Sequence, residues 1–313
     1  MIDDVRSGLF QSPKSIPPVW FYDEAGSLLF DEITRLPEYY LTRAERAILE
    51  VNAEEIAATA NASTLVEIGS GTSEKTLILL DAMAEFGSLR GITLLDISEE
   101  ILREAAVSLR DRYDVDVHAV VGDFRSQLTK LPRHGQQLWA FLGSTIGNFA
   151  PLERSQLLSE FQMAMGVDDH LLLGTDLVKD PERLVAAYDD SAGVTAAFNK
   201  NVLSVLNRAL GAHFDVDQFD HRAVWNPQSK WIEMRLRSRC HQVVPIDGLE
   251  MDISLVEGEE ILTEVSSKFD PSQLADEFAG ASMELHQAWT DPAGDFQLSM
   301  SRPVGYLAPT AGE

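Results

Sequence analysis

Cysteine is nearly absent from this chain. Cys240 is the single one among 313 residues, so no intrachain disulfide can form and a cysteine-thiolate metal cluster is excluded. Positive charge is scarce too: 25 Lys and Arg stand against 50 Asp and Glu, a net charge of −25. Nucleic-acid binding neutralises phosphates with cations, and anionic membranes attract the same groups, so neither partner is expected. No apolar run approaches the length that spans a bilayer. The opening Met1-Ile2-Asp3-Asp4-Val5-Arg6 has no cationic segment leading into an apolar one, and a cytoplasmic location is the expectation. Repeats and low-complexity stretches are also missing. What remains is a globular composition, 45% hydrophobic, enough for one large or two packed domains. A small substrate carrying little negative charge is the natural partner, and nothing implies an obligate protein partner.

One segment is the most informative: Val66-Glu67-Ile68-Gly69-Ser70-Gly71-Thr72-Ser73-Glu74-Lys75-Thr76. An apolar run, Leu65 to Ile68, meets a glycine turn and passes directly into a helical pattern at Leu77, Leu80, Met83 and Ala84. Strand, tight turn, helix is where open α/β sheets hold a nucleotide, and glycine lets a ligand lie against backbone. A dinucleotide fingerprint has a third glycine and offers its helix N-terminus to a pyrophosphate. Here Glu74 takes the third glycine position and Glu67 precedes the turn. Two carboxylates would repel a pyrophosphate but tolerate a cationic sulfonium with an amino-acid tail, so S-adenosylmethionine is favoured over NAD.

Apolar runs recur near Leu65, Ile92, Val115, Leu138 and Leu171, with helical patterns between the earlier ones. That rhythm predicts βαβ units and a parallel sheet covered on both faces. Met283 to Thr290, the turn Asp291-Pro292-Ala293-Gly294 and Phe296 to Ser301 predict a terminal hairpin. The fold class is therefore α/β: a class I, Rossmann-like sheet of seven strands, five parallel ones completed by two more, one antiparallel. A smaller α+β lobe would come from an insertion, helical over 181–211, a loop over 213–221, and extended over Trp231 to Val244 and Met251 to Phe269. The expected division is 42–178 with 269–313 for the cofactor domain, and 1–41 with 179–268 for the substrate lobe. In the N-terminal part Ser27 to Leu36 is a helical pattern, and Thr42-Arg43-Ala44-Glu45 is a capping box opening a helix to about Ala60. Ser98 is expected to cap another.

Several positions could carry chemistry. Asp96 ends the second apolar run, where a carboxylate accepts both ribose hydroxyls of an adenosine, although acids are favoured near helix N-termini anyway. Asp123 and Phe124 end the third run and suit adenine, the acid taking its exocyclic amine and the ring covering its face; Phe124 could equally be core. Lys75 could meet the cofactor carboxylate or be an exposed lysine. Asn148 closes the small-residue loop after Phe141, on the ligand side of such a sheet. His213 and His221 flank Asp215, Asp217 and Asp220, but the spacing matches no ligand set, and no metal is expected. Glu264 and Ser266 by themselves read as exposed strand residues.

With these residues assembled, the chain resembles the histidine Nα-methyltransferases of ergothioneine biosynthesis over nearly its whole length. The resemblance is carried by Phe21-Tyr22-Asp23-Glu24-Ala25-Gly26-Ser27, Ile33-Thr34-Arg35-Leu36-Pro37-Glu38-Tyr39-Tyr40 and Thr42-Arg43-Ala44-Glu45. It continues through Glu67-Ile68-Gly69-Ser70-Gly71, Leu142-Gly143-Ser144-Thr145-Ile146-Gly147-Asn148, Gly174 to Asp180, and Tyr188 to Asn201. It implies an S-adenosylmethionine-dependent enzyme that trimethylates the α-amino group of L-histidine to hercynine. By the same resemblance Gly69, Lys75, Asp96, Asp123 and Phe124 hold the cofactor, and Tyr39, Asn148 and Tyr188 fix the carboxylate and amine of histidine. Tyr39 and Asn148 are the implied catalytic pair, and Gly143 belongs to the substrate loop. Glu264 and Ser266 are implied to hold the imidazole with Met234 shaping that pocket, while Thr195 steers the amine through water. The alternatives are an N-methyltransferase for another amino acid, an NAD-dependent oxidoreductase on a similar sheet, and a non-catalytic binding module.

Overall fold

The computed structural model describes residues 1–70 and 75–304. Gly71 and Glu74 of the glycine turn lie outside the described residues. The chain forms two compact units: Met1–Thr42 with Val178–Lys268, and Arg43–Leu177 with Phe269–Glu313.

The second unit is built on a seven-stranded sheet. Its strands run in the order Met283–Thr290, Phe296–Pro303, His170–Asp176, Gln137–Phe141, Thr64–Ile68, Gly91–Asp96 and Asp116–Val121. Phe296–Pro303 is antiparallel to both its neighbours, and the five strands from His170–Asp176 to Asp116–Val121 pair in parallel. This is the expected α/β sheet with its terminal hairpin. Strands with both faces covered read as near-continuous apolar runs, and every residue of Thr64–Ile68, Gln137–Phe141 and His170–Asp176 is buried. Trp139, Phe141, Phe161, Phe278 and Leu173 lie in the core on one face. Asp291 fixes the hairpin turn by accepting from the amides of Ala293, Asp295 and Phe296 at 2.7–3.0 Å.

The first unit holds a four-stranded sheet in the order Lys14–Ser15, Glu260–Ser267, Trp231–Ser238, Phe219–Asn226, and a separate hairpin of Gln242–Ile246 and Met251–Leu255. The helices Glu24–Arg35, Pro181–Tyr188 and Val194–Leu210 belong to the same unit. Phe219–Asn226 corrects the loop expected over 213–221: its first three residues are strand, because Phe219 is fully buried and the strand pairs with Trp231–Ser238 over its length. A short helix, Ile2–Leu9, was not foreseen; three prolines downstream masked a pattern that buries Val5 and Leu9.

One capping expectation fails and the other holds in position only. Helix Leu41–Ala60 starts before Thr42, so Thr42 is no N-cap, and Glu45 turns its carboxylate elsewhere. Ser98 occupies the N-cap of Glu99–Arg112 without a side-chain cap bond; its own amide donates to Asp96 Oδ1 at 2.9 Å. No helix among the described residues is long and apolar enough to cross a membrane.

Candidate active site

In the second unit the candidate cofactor residues gather at the carboxyl ends of neighbouring strands. Gly69 follows Thr64–Ile68 with φ +69°, and its amide donates to the Leu95 carbonyl at 2.8 Å. Among the described residues a Cβ at Gly69 would meet nothing within 4 Å, so the backbone at Gly69 is open to them, as a ligand seat requires. Asp96 ends the next strand and pairs in register with Val121. The Gly122 amide donates to the Asp96 carbonyl at 2.9 Å, which brings Asp123 to the same edge. Asp123 caps the short helix Phe124–Gln127 and is gripped by the Arg125 guanidinium at 2.9–3.1 Å through Nε. Burial alone would raise the Asp123 carboxyl, but the bonds from Arg125 hold it below the usual carboxylate range. An adenine amine would therefore share this carboxylate with Arg125. Phe124 is half-buried, its ring 5.3 Å from Phe141 and 5.9 Å from Phe149, so it packs on the core while keeping an exposed part.

Glu67 also has a structural part. Its carboxylate is buried and accepts from the Thr76 hydroxyl, bracing the strand to the helix Thr76–Phe86 across the turn. It is thus a structural tie as well as a charge.

Sequence reasoning missed Glu45. Its side chain is completely buried and accepts from Lys75 Nζ and, at 2.9 and 3.0 Å, from the amide of Gly143. Gly143 has φ +76°, and Ser144 has φ 59°. One carboxylate thereby links the helix Leu41–Ala60, Lys75 after the glycine turn, and the loop that leads to Asn148. Gly174 is required beside it, since a Cβ there would collide with Glu45 Oε1 and lie 3.2 Å from the Phe296 ring. The capping-box pattern concealed this role, because a serine or threonine three residues before a glutamate has a simpler local use. Asn148 closes the short helix Thr145–Asn148, half-exposed, and its side-chain amide makes no hydrogen bond among the described residues.

In the first unit the candidate substrate residues converge. Tyr39 and Tyr188 are both buried, with ring centroids 6.1 Å apart. Tyr188 Oη and Ser266 Oγ are 2.7 Å apart. Met234 is buried directly across from Glu264 in the strand register. Thr195 is buried in the first turn of Val194–Leu210; its amide donates to Asp190 at 2.7 Å, and its hydroxyl lies beside the same carboxylate. Burial would raise Asp190, but these bonds and that from Val194 hold it below the usual range.

Glu264 and Ser266 are 8% and 3% exposed, not the surface residues their sequence suggested. The cause is a bulge between Leu262 and Glu264. Ile261 faces Leu236 before it and Glu264 faces Met234 after it, so one inserted residue moves Glu264 onto the buried face. Burial pushes the Glu264 carboxyl up to about 7, against the opposing pull of Lys268. No hydrogen bond reaches that carboxylate from the described residues. A buried carboxylate without a donor is costly, and such sites are commonly kept for a ligand.

The histidines have structural duties. His221 Nδ1 accepts from Asn199 Nδ2 and its Nε2–H donates to the Tyr188 carbonyl, both at 2.8 Å. Burial holds this imidazole below its usual pKa, which fits the neutral tautomer those bonds demand. Asn199 also accepts from Thr263 at 2.6 Å, so a buried relay fixes Tyr188. His213 pairs with Asp247 at 3.1 Å.

A family model described as "Histidine-specific methyltransferase, SAM-dependent" matches residues 1–303. The chain is 53% identical over 299 residues to a histidine N-alpha-methyltransferase of Mycolicibacterium smegmatis, covering 95% of this chain and 93% of that protein. It is 52% identical, with the same coverage, to the protein of that name from Mycobacterium tuberculosis. Ergothioneine biosynthesis protein 1 of Neurospora crassa is 31% identical over 255 residues, 75% of this chain and 29% of the larger fungal protein.

Proposed function

Since the chain belongs to the histidine-specific, S-adenosylmethionine-dependent methyltransferases, we propose that it trimethylates the α-amino group of L-histidine, giving hercynine for ergothioneine biosynthesis. The observation that carries the substrate assignment is Glu264: a buried carboxylate that no hydrogen bond from the described residues satisfies, two residues from the Ser266 hydroxyl. A carboxylate accepts from an imidazole N–H while a hydroxyl serves the other ring nitrogen. Amino acids without that ring leave Glu264 buried and unpartnered, a penalty large enough to support strong discrimination.

The open backbone at Gly69 and the acids at the ends of the next two strands fit the cofactor. Gly69 would lie against it, Asp96 would take the ribose hydroxyls, Asp123 the adenine amine and Phe124 the base face. Lys75, oriented by Glu45, would take its carboxylate. When bound, S-adenosylmethionine supplies an electrophilic sulfonium methyl. This chain's residues then have to hold the amine in one direction, and alignment of that kind is worth roughly 7–11 kcal/mol. Tyr39 and Asn148 would orient the amine lone pair and carry the charge that builds on nitrogen. Tyr188 would fix the substrate carboxylate, Thr195 would act through a water, and Gly143 would set the loop that bears Asn148. The amine must shed its proton before it attacks, because an ammonium nitrogen has no lone pair to offer. A cytoplasmic setting and action on a free small molecule complete the reading.

Mass spectrometry of protein incubated with S-adenosylmethionine and each amino acid separately tests this. Species one, two and three methyls heavier than histidine, for histidine alone, are the expected products. Methylation of another amino acid would leave the fold and cofactor in place and overturn the roles of Glu264 and Ser266.

A further inference from the structure

Glu45 has no cap to complete, since its helix begins before Thr42, and both oxygens of its carboxylate are committed elsewhere. Oε2 accepts from Lys75 Nζ, and the Gly143 amide donates to Oε1 and Oε2 at 2.9 and 3.0 Å. The two ends of this ion pair differ in their freedom. The Glu45 side chain is completely buried, whereas that of Lys75 keeps 23% exposure. Glu45 cannot reach water, and the Gly143 N–H holds it on the loop. The lysine therefore comes to the glutamate, and not the reverse.

Among the described residues Glu45 is the one hydrogen-bond acceptor of the Lys75 ammonium. That nitrogen also lies over Gly143, 3.7 Å from where a Cβ would stand. An ammonium has three donors; Glu45 takes one, and two are left for an incoming anion. Without the glutamate a mostly buried ammonium loses its partner, and its flexible four-carbon stem carries it back to water. A second effect opposes the first, because Glu45 is an anion and repels a carboxylate brought to the same ammonium. The first is the larger: the ammonium bridges the two carboxylates and offsets their repulsion, whereas release of the stem removes the binding group altogether.

We propose that Glu45 is a positioning residue that sets cofactor specificity: by fixing the Lys75 ammonium against Gly143, it makes the site select a cofactor whose amino-acid tail keeps its carboxylate. A cofactor decarboxylated in that tail leaves two donors of the ammonium without an anion. This rests on the assignment of the cofactor carboxylate to Lys75, and adds to it what holds the lysine ready and which cofactor it rejects.

Calorimetric dissociation constants for S-adenosylhomocysteine and for its decarboxylated form, in which an aminopropyl group replaces the amino-acid tail, test the idea. The intact protein should prefer the carboxylate-bearing ligand by about tenfold or more, the scale of a hydrogen bond to a charged group. Lys75→Met should reduce that preference to about threefold or less. Glu45→Gln should do the same with Lys75 still present. With its oxygen toward the ammonium, the glutamine NH2 faces the Gly143 N–H; reversed, it faces the ammonium. The double variant should reduce the preference no further, as expected of residues acting through one contact. Glu45→Met, which has no acceptor of comparable strength, gives the same readout should the glutamine variant not fold. A preference that survives in the Glu45 variants, with both ligands weakened equally, would overturn the proposal and leave Glu45 a structural tie. A preference that rises would overturn it as well, since repulsion from Glu45 would then outweigh its hold on the lysine. Lys75→Met separates the two ideas: an unchanged preference in that variant would remove the lysine assignment itself.

Discussion

Glu264→Gln removes a charge while keeping the shape of the side chain, and two opposite effects follow from one geometry. The carboxyl stands at about 7 in the folded protein because burial disfavours its charged form, against about 4.3 in an unfolded chain. A raised acid pKa means the folded state is relatively favoured below pH 4 and loses that advantage as pH climbs through 7. The difference is between two and three pH units, or about 3–4 kcal/mol at pH 8 as an upper figure. In the ligand-free protein Glu264→Gln should therefore raise stability at pH 8 by about 2–3 kcal/mol, and by nearly nothing at pH 4. Urea denaturation at the two pH values reads this directly. At the same time the variant loses a charged acceptor for the imidazole, a loss of about 1.5–3 kcal/mol, so histidine should bind roughly 10- to 150-fold more weakly by calorimetry. Affinity for S-adenosylhomocysteine should stay put. Equal stability of the two proteins at pH 8, together with unchanged histidine affinity, would refute the reasoning at its root.

Asp96→Ala should weaken S-adenosylhomocysteine binding at least tenfold, the scale of losing charged hydrogen bonds, and leave histidine affinity nearly intact; equal loss of both would contradict the ribose role. Gly174→Ala forces a methyl against the Glu45 carboxylate and the Phe296 ring, and overpacking of this kind costs about 1–3 kcal/mol. A lowered thermal midpoint with weaker cofactor binding is the expected result, and an unchanged midpoint counts against the Glu45 linkage. Asn199→Ala breaks a buried relay from Thr263 to His221 and should cost about 2 kcal/mol of stability. It should also raise KM for histidine, because His221 holds the Tyr188 carbonyl; steady-state kinetics on folded variant would show KM rising more than kcat falls.

Much of this protein was determined by its sequence alone. Apolar runs separated by helical patterns pointed to a parallel sheet, since strands buried on both faces are the ones that read as near-continuous apolar runs. A turn ending on Asp291 and Gly294 required the last hairpin. Gly69, Asp96 and Asp123 were legible as the candidate cofactor edge because each sits where an apolar run stops, a feature local to its strand. Tertiary structure decided the rest. Glu45 resembles a local cap and becomes the buried partner of Lys75 and Gly143 only when segments far apart in the chain pack together. The strand Phe219–Asn226 looked like an acidic loop because its side chains are mostly half-exposed and its order comes from pairing with Trp231–Ser238. Glu264 and Ser266 alternate visibly in sequence, yet which face they take depends on one bulge, and no pattern of residues fixes the phase of a strand beyond it.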